Sequence, residues 1–375
     1  RARCREAVAA FGDGVAYASK AFLCGAMARL AHEEGMHLDV ATGGELFVAR
    51  RAGVPADRLV MHGNNKSGAE LAMALDEGVG RIVVDSFDEL DRLDAIATAT
   101  GSRPRVLLRI TPGVEAHTHE FIATGQDDSK FGFTASSGLA TTAVERAVAS
   151  DSVELVGLHA HIGSQVFEVG AFARAVEVLV DFAAPFGLAE LSVGGGLGVP
   201  YVEGESAPSI TEWASGIRAV CEAAGVTASV SAEPGRAIVA AAAVTLYTVG
   251  TIKDLPGIRT YVAVDGGMSD NPRPVLYGSG YETFLPRATA AERSRPVRVV
   301  GKHCESGDLL VREGWVPDDL VVGDVLATPV TGAYGHAMGS NYNHVLRPAV
   351  VFVADGDARM VVRRETFEDL VRREV

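Results

Sequence analysis

Lys20 is the residue whose setting points most directly to chemistry. Apolar, strand-favouring residues at 15–18 precede it, and a helix-forming segment at 21–34 follows it. The lysine is therefore predicted at the end of a buried strand. An ammonium group in a desolvated pocket loses its charge readily, which makes Lys20 a candidate nucleophile for a carbonyl compound. The alternative is a lysine that packs its stem at the strand end and keeps its head in water.

The elements that would position Lys20 form a repeated pattern of short apolar runs and amphipathic segments. Seven helical stretches, including 67–78, 86–98, 138–149, 170–184 and 211–224, separate eight predicted strands: 15–18, 37–41, 59–62, 81–84, 105–110, 154–161, 191–194 and 228–232. Eight such units in this length favour an α/β fold of the (β/α)8 barrel type. An open, doubly wound parallel sheet is the alternative.

A barrel requires its functional side chains at the C-terminal ends of the strands. Polar or glycine-rich groups follow all eight predicted strands: Lys20, Asp39 with 42–45, 62–66, Asp85, Arg109, 159–165, 194–198 and 233–236. Since all of them lie at the C-terminal ends of parallel strands, we expect them to meet at one end of the barrel.

Beyond residue 242 the pattern changes to β-rich runs broken by Gly and Pro. The runs are 244–250, 260–264, 297–300, 324–328, 349–353 and 359–362, and a helical stretch at 365–373 follows. We therefore predict a barrel domain at 1–242 and a mainly antiparallel β-barrel or sandwich domain at 243–375.

Bulk composition limits the possible partners. The chain has 375 residues and a net charge of −14, which argues against nucleic acid or an anionic membrane as its main partner. Its four cysteines form no C-x-x-C pair, so free thiols in the cytoplasm are expected. No apolar run is long enough to span a membrane, and no signal peptide is evident. Because the chain begins at Arg1 in a helix-like segment, we expect a further N-terminal stretch.

The glycines at 194–198 predict an anion site rather than a dinucleotide site. A dinucleotide fingerprint, G-x-G-x-x-G, would need glycine where Val199 stands. In barrels, phosphate is often held by the loops after strands seven and eight, and here these loops carry 194–198 and 235–236. The alternative is that the glycines serve tight turns.

A lysine facing a single-phosphate site, with a carboxylate in reach, suggests pyridoxal phosphate (PLP). Glu233 is the predicted partner of the pyridine nitrogen, unless it forms an ordinary salt bridge with Arg236. His161 could stack on the ring or transfer protons, and His159 is predicted to point the same way. These two histidines could instead bind a metal, but no neighbouring sequence pattern completes such a site, so none is expected.

Six motifs together resemble the fold-type III PLP-dependent decarboxylases, most closely the branch that acts on diaminopimelate. They are Y-A-S-K-A (17–21), H-I-G-S-Q (161–165), G-G-G-L-G (194–198), E-P-G-R (233–236), C-E-S-G-D (304–308) and G-A-Y (332–334). The resemblance covers essentially the whole chain. It implies an alanine-racemase-like barrel, a C-terminal β-domain and a head-to-tail homodimer with shared active sites.

The resemblance also implies roles for individual residues. Lys20 would form the Schiff base with PLP, His161 would stack on the ring and Glu233 would bind the pyridine nitrogen. Further cofactor contacts are implied for Ser164, Gly195, Gly196, Gly235, Arg236 and Tyr334. Arg236, Arg273, Tyr277, Glu305 and Tyr334 are implied as substrate ligands. Cys304, the implied proton donor, and Glu305 would come from the other subunit.

The implied reaction is the decarboxylation of meso-2,6-diaminopimelate to L-lysine and carbon dioxide through a quinonoid intermediate, the last step of lysine biosynthesis. One alternative is a decarboxylase for another basic amino acid or polyamine precursor, such as ornithine, arginine or carboxynorspermidine. The pairing of Glu305 with Cys304, together with Arg273, weighs against it. An amino acid racemase would carry tyrosine in place of Cys304. A catalytically silent PLP-binding homologue is disfavoured by Lys20, Glu233 and Cys304.

Overall fold

A computed structural model of the chain describes residues 1–114 and 125–375. The chain divides into two compact units, one of residues 1–199 and 206–238 and the other of residues 200–205 and 239–375. The predicted boundary between 242 and 243 stays a prediction. In the described parts of the chain, no helix combines the length and apolar character needed to cross a membrane.

The sheet of the first unit is built from eight parallel strands. They are β1 (Ala16–Ala18), β2 (His37–Val40), β3 (Leu59–Met61), β4 (Arg81–Val84), β5 (Arg105–Thr111), β7 (Glu154–Ala160), β8 (Glu190–Ser192) and β9 (Ser229–Ser231), and the short β6 (Phe133–Thr134) pairs with β5. The amide of Ala16, in β1, donates to the carbonyl of Ala232, directly after β9, at 2.9 Å. This hydrogen bond brings the two edges of the sheet together. The predicted barrel is therefore confirmed, and an open sheet is excluded.

Helices follow the strands as predicted. They are α1 (Ala2–Phe11), α2 (Gly25–Glu33), α3 (Gly43–Arg51), α4 (Gly68–Glu77), α5 (Phe87–Thr100), α6 (Leu139–Ala149), α7 (Val169–Ala183), α8 (Ile210–Ala223) and α9 (Arg236–Val239). Serines start several of them because a hydroxyl satisfies an amide of the first turn. Ser67 and Ser209 each form a capping box with a glutamate three residues on.

Apolar side chains from four neighbouring strands pack together in the barrel. Val60, Val83, Leu107 and Val156 form one buried cluster, and they come from β3, β4, β5 and β7. Branched side chains pack well on the pleated surface of a sheet. The barrel therefore has a solid core beneath its C-terminal end.

The second unit contains a five-stranded sheet and a separate hairpin. The sheet has the order β13-β12-β11-β10-β14, formed by β10 (Val244–Leu255), β11 (Arg259–Val264), β12 (Arg295–Val300), β13 (Leu309–Val316) and β14 (Val325–Pro329). All its pairings are antiparallel except β11 with β12. The hairpin consists of β15 (Val350–Ala354) and β16 (Asp357–Val362), and the unit also holds α10 (Arg273–Tyr277) and α11 (Phe367–Val371).

The mainly antiparallel character of the second unit is confirmed, but sequence analysis missed β13. Its apolar residues are interrupted by Arg312, Glu313 and Gly314, so neither an apolar run nor a clean alternation is visible. Closure of this unit as a barrel or sandwich stays a prediction.

A buried ion pair ties the loops after β3 and β4 together. Lys66 Nζ lies 2.7 Å from Glu89 Oε1 and also donates to the carbonyls of Val83 and Gly63, at 2.6 and 2.8 Å. Neither side chain is more than 1% exposed. The other oxygen of Glu89 accepts the amide of Asp85 at 3.0 Å. Lys66 thereby connects the end of β3 to the end of β4.

We expect Lys66→Met to destabilise the barrel by about 3–5 kcal/mol, since it leaves the Glu89 carboxylate buried without a cation. Urea unfolding followed by the fluorescence of buried Trp213, in a background where exposed Trp315 is Phe, measures this. Lys253→Met, at an exposed position of β10, is the matched control and should change the free energy of unfolding little. Equal effects of both substitutions would contradict the role of the pair.

Candidate functional site

A buried carboxylate, Glu233, lies at the centre of the C-terminal end of the barrel. Glu233 Oε2 lies 3.0 Å from His159 Nε2, and Glu233 Oε1 accepts the Ser192 hydroxyl at 2.9 Å. His62 Nε2 is 3.3 Å from Glu233 Oε1 and 3.9 Å from Asp39 Oδ1. These side chains come from the ends of β2, β3, β7, β8 and β9, as the barrel requires.

The histidines keep this carboxylate ionised. Burial raises the pKa of Glu233, but His159 and His62 outweigh burial and bring it well below its usual value. Burial lowers the pKa of His62, but Asp39 and Glu233 raise it above its ordinary value overall. Burial lowers the pKa of His159 overall, so of the two histidines His62 holds a proton more readily.

Lys20 and His161 lie beside this cluster. Lys20 stands in a short 3-10 turn, Ser19–Ala21, directly after β1. His161 Nδ1 accepts the amide of Gly195 at 3.1 Å, which fixes the ring. Burial and then the charge of Lys20 hold the pKa of His161 well below its usual value. His161 is therefore a neutral imidazole near a lysine.

Glycines allow the loops after β7, β8 and β9 to approach one another closely. A Cβ on Gly195 would lie 2.2 Å from the Glu233 carbonyl, and one on Gly196 would lie 2.2 Å from the Gly163 carbonyl. A Cβ on Gly235 would meet the Cβ of Ala18 at 2.9 Å. The glycines are therefore needed for close packing of the loops. Neither interpretation, tight turns or an anion site, is excluded by this packing.

Arg236 joins two of these loops. It is 5% exposed, and its Nη2 donates to Ser164 Oγ at 2.8 Å. The described ion pairs of Glu233 are with His62 and His159 rather than with Arg236. The described residues therefore do not form the alternative salt bridge between Glu233 and Arg236.

His62 and Ser192 belong to the site although neither had been given a role of its own; His62 was expected there only as one of the strand-end groups. His62 had a visible signal, since it ends a predicted strand in phase with the others. Ser192 had none, because one serine inside an apolar run carries no pattern. Asp85 and Arg109, also at strand ends, lie behind the cluster, with 3.7 Å between Arg109 Nη1 and Asp85 Oδ1.

The structure also brings together a set of possible metal ligands that the sequence pattern did not show. Ligand atoms of His62, His159 and Glu233 lie within 4.8 Å of one another. Sequence analysis found no carboxylate near the histidines because Glu233 is far away along the chain. In the described structure both Nε2 atoms face Glu233, so the cluster forms an ion-paired network of its own.

In the second unit, the C-E-S-G-D motif is held by a buried pair. Asp308 Oδ2 lies 2.8 Å from His303 Nδ1, and its Oδ1 accepts the amide of Met268 at 2.7 Å. The His303 ring stacks on Tyr342 with a centroid distance of 5.5 Å. Cys304 is exposed, as is Glu305, and the amide of Cys304 donates to Asn343 at 3.0 Å. The motif therefore presents its thiol and carboxylate at a surface.

Two further predicted residues lie in the same unit. Arg273 is buried at the start of α10, with its Cζ 5.5 Å from the ring centroid of Tyr277. Tyr334 has a backbone φ of 59°, a left-handed conformation that is uncommon for a residue with a side chain.

We expect Glu233→Gln to lower the pKa of His62, because it removes one of the two carboxylates that raise it. A folded-state pKa above that of the unfolded chain gives stability that is complete below about pH 6.5 and is lost as pH rises through the folded value. NMR titration of the His62 Cε1–H signal measures the change. Glu190→Gln, at the start of β8 and paired with Arg81, is the control. An unchanged His62 titration in Glu233→Gln would contradict the network.

Comparisons with known proteins agree with this geometry. Residues 1–240 match the family described as pyridoxal-dependent decarboxylase, pyridoxal binding domain. The diaminopimelate decarboxylase of Mycobacterium tuberculosis is 50% identical over 396 aligned positions, covering 100% of this chain and 89% of that protein. The Bacillus subtilis enzyme of the same name is 47% identical, with 96% and 84% covered.

Solved structures show the same fold. The diaminopimelate decarboxylase of M. jannaschii in complex with L-lysine superposes with a TM-score of 0.92 at 32% identity, covering 100% of this chain and 88% of that one. The Helicobacter pylori enzyme with L-lysine gives 0.90 at 32% identity, with 99% and 94% covered. The sequence resemblance is confirmed, and the chain belongs to the family of pyridoxal-dependent decarboxylases.

Proposed function

We propose that the chain is a PLP-dependent carboxy-lyase that converts meso-2,6-diaminopimelate to L-lysine and carbon dioxide. The observation that carries this function is the Glu233 carboxylate, held ionised in a buried place by two histidines. The substrate is supported by relatives named diaminopimelate decarboxylase at about half identity along the whole chain, and by solved relatives that hold L-lysine.

The residues present fit PLP. An ionised, buried carboxylate suits a protonated pyridine nitrogen, a fixed neutral imidazole suits a ring face, and close-packed glycine loops with Arg236 suit a phosphate. Bound PLP supplies an electron sink that accepts the electron pair left when a carboxylate departs as carbon dioxide.

In this assignment residues of the barrel would hold and orient the cofactor, with Tyr334 of the second unit as a further cofactor contact. Lys20 would bind it covalently and Glu233 would keep its ring nitrogen protonated. His161 would pack on the ring, and the remaining barrel contacts would be Ser164, Gly195, Gly196, Gly235 and Arg236. Because Gly195 fixes the His161 ring, the imidazole needs no rearrangement when the cofactor binds.

The remaining assigned residues bind substrate and deliver a proton. Arg273 and Tyr277 would bind a substrate carboxylate, and Glu305 would read the distal end of the substrate. Arg236 and Tyr334 are assigned as further substrate ligands. Charge-assisted bonds from an arginine contribute about 1.5–3 kcal/mol each. Cys304 donates the proton that replaces the departing carboxylate, and Cys304 and Glu305 come from the second subunit of a homodimer.

The domain and cellular assignments follow from the same proposal. We assign residues 1–242 to the cofactor-binding barrel and 243–375 to the β-domain, which carries most of the substrate residues. All four cysteines are free thiols, which supports a reducing cytoplasm. There the enzyme would complete lysine biosynthesis.

The direct test is the PLP-loaded protein given meso-diaminopimelate, L-lysine and L-ornithine separately, with carbon dioxide and amine products followed. Carbon dioxide and L-lysine are expected from diaminopimelate alone. Lys20→Ala should abolish turnover and the attachment of PLP to its peptide after borohydride reduction, whereas Lys253→Ala should keep both. Turnover by Lys20→Ala at the wild-type rate would overturn the assignment.

Shared active sites predict complementation. Lys20→Ala and Cys304→Ala are each expected to be inactive, but each heterodimer would contain one complete site. Mixing equal amounts and allowing subunits to exchange should restore about a quarter of the wild-type activity. Recovery is read as lysine formed per minute and should depend on protein concentration. If mass spectrometry shows that heterodimers have formed and no activity returns, the proposal that Cys304 acts across the subunit interface is wrong.

A further inference from the structure

Arg273 is a buried cation whose described partners carry no negative charge. Its side chain is 4% exposed, and it donates from Nε to the Tyr281 hydroxyl at 3.0 Å and from Nη2 to the Ser279 hydroxyl at 2.9 Å. Among the described residues, no Asp or Glu pairs with it. A charge removed from water and left without a counter-charge is strongly unfavourable. The site is therefore suited to an anion that none of the described residues supplies.

The chain folds back on itself to make these contacts. Helix α10 starts at Arg273 and ends before Gly278, whose φ of 61° is left-handed and suits glycine. This turn returns Ser279 and Tyr281 to the start of the helix.

Aromatic rings hold the plane of the guanidinium. Its Cζ lies 4.8 Å from the ring centroid of Tyr201, which contacts Tyr281 edge-on with 5.2 Å between their centroids. Tyr201 and Tyr281 are buried, at 5% and 3% exposure. A planar cation held against aromatic rings loses little freedom on binding a ligand.

The two hydroxyls decide which edge of the guanidinium is available. They occupy Nε and Nη2, the nitrogens of its lateral edge, and no described group accepts from Nη1. A carboxylate must then approach from the Nη1 end. Tyr281 and Ser279 therefore set the direction from which Arg273 binds its anion.

Chemistry decides which substrate carboxylate this is. A strong bond to the carboxylate that departs as neutral carbon dioxide would be lost in the transition state and would oppose the reaction. Arg273 therefore suits the carboxylate that remains in the product. L-lysine keeps this carboxylate, whereas cadaverine, of the same length, lacks it.

We propose that Tyr281 and Ser279 are positioning residues that aim the Nη1 end of Arg273 at the retained substrate carboxylate, and so determine the preference for carboxylate-bearing ligands. This inference rests on the proposed function. It adds two hydroxyl groups that no sequence motif singled out.

Calorimetric titration of the PLP-loaded enzyme with L-lysine and with cadaverine tests the proposal. Tyr281→Phe should weaken L-lysine binding about tenfold and change cadaverine binding less than about twofold, since one hydrogen bond that orients a charged group is lost. Ser279→Ala should weaken L-lysine binding in the same selective way, and it provides the test if Tyr281→Phe does not fold. For diaminopimelate, KM should rise while kcat changes little.

Tyr261→Phe is the matched control, because Tyr261 contacts a different arginine, Arg259, with 5.9 Å from Cζ to the ring centroid. It should leave both affinities unchanged. Equal losses of L-lysine and cadaverine affinity would reveal a purely structural role. Unchanged L-lysine affinity in both variants would show that something else orients Arg273 and would overturn the proposal. If the wild type neither binds L-lysine nor turns over diaminopimelate, the proposed function itself fails.

Discussion

The chemistry assigned to the barrel depends on keeping one buried carboxylate charged. Removing Glu233 from water favours its neutral form, and the neutral form could not keep a ring nitrogen protonated. Two histidines and the Ser192 hydroxyl compensate for burial, and His62 is itself placed between Glu233 and Asp39. Each member is stabilised by another, so the cluster works as a unit and its parts are not additive.

The (β/α)8 fold supplies the geometry that this unit needs. Glu233 and the residues around it come from five strands, and those of β2 and β3 reach Glu233 because the sheet curves until β1 lies beside the end of β9. Glycines at 194–196 and 235 let the loops after the strands approach closely without steric conflict. The branched core residues are buried, and the Lys66–Glu89 pair connects two of the strand ends.

Sequence patterns predicted the eight barrel strands, most helices and the end of the barrel at which polar side chains gather, because periodicity and strand-end polarity are local properties. They did not predict which strand ends touch. His62, after β3, approaches Glu233 through barrel closure, Ser192 approaches it because β8 pairs with β9, and Tyr281 reaches Arg273 through a turn at Gly278. The β13 strand escaped detection because Arg312, Glu313 and Gly314 interrupt its apolar residues. Long-range packing, rather than propensity, decided each of these cases.

The most direct test of the role of Glu233 is the 15N chemical shift of bound PLP labelled at its pyridine nitrogen. We expect the shift of a protonated pyridine in the wild type, since an ionised carboxylate stabilises the N–H form. In Glu233→Gln the shift should move to that of a neutral pyridine. A neutral pyridine in the wild type, or the same shift in both proteins, would contradict the proposed role of the Glu233 cluster.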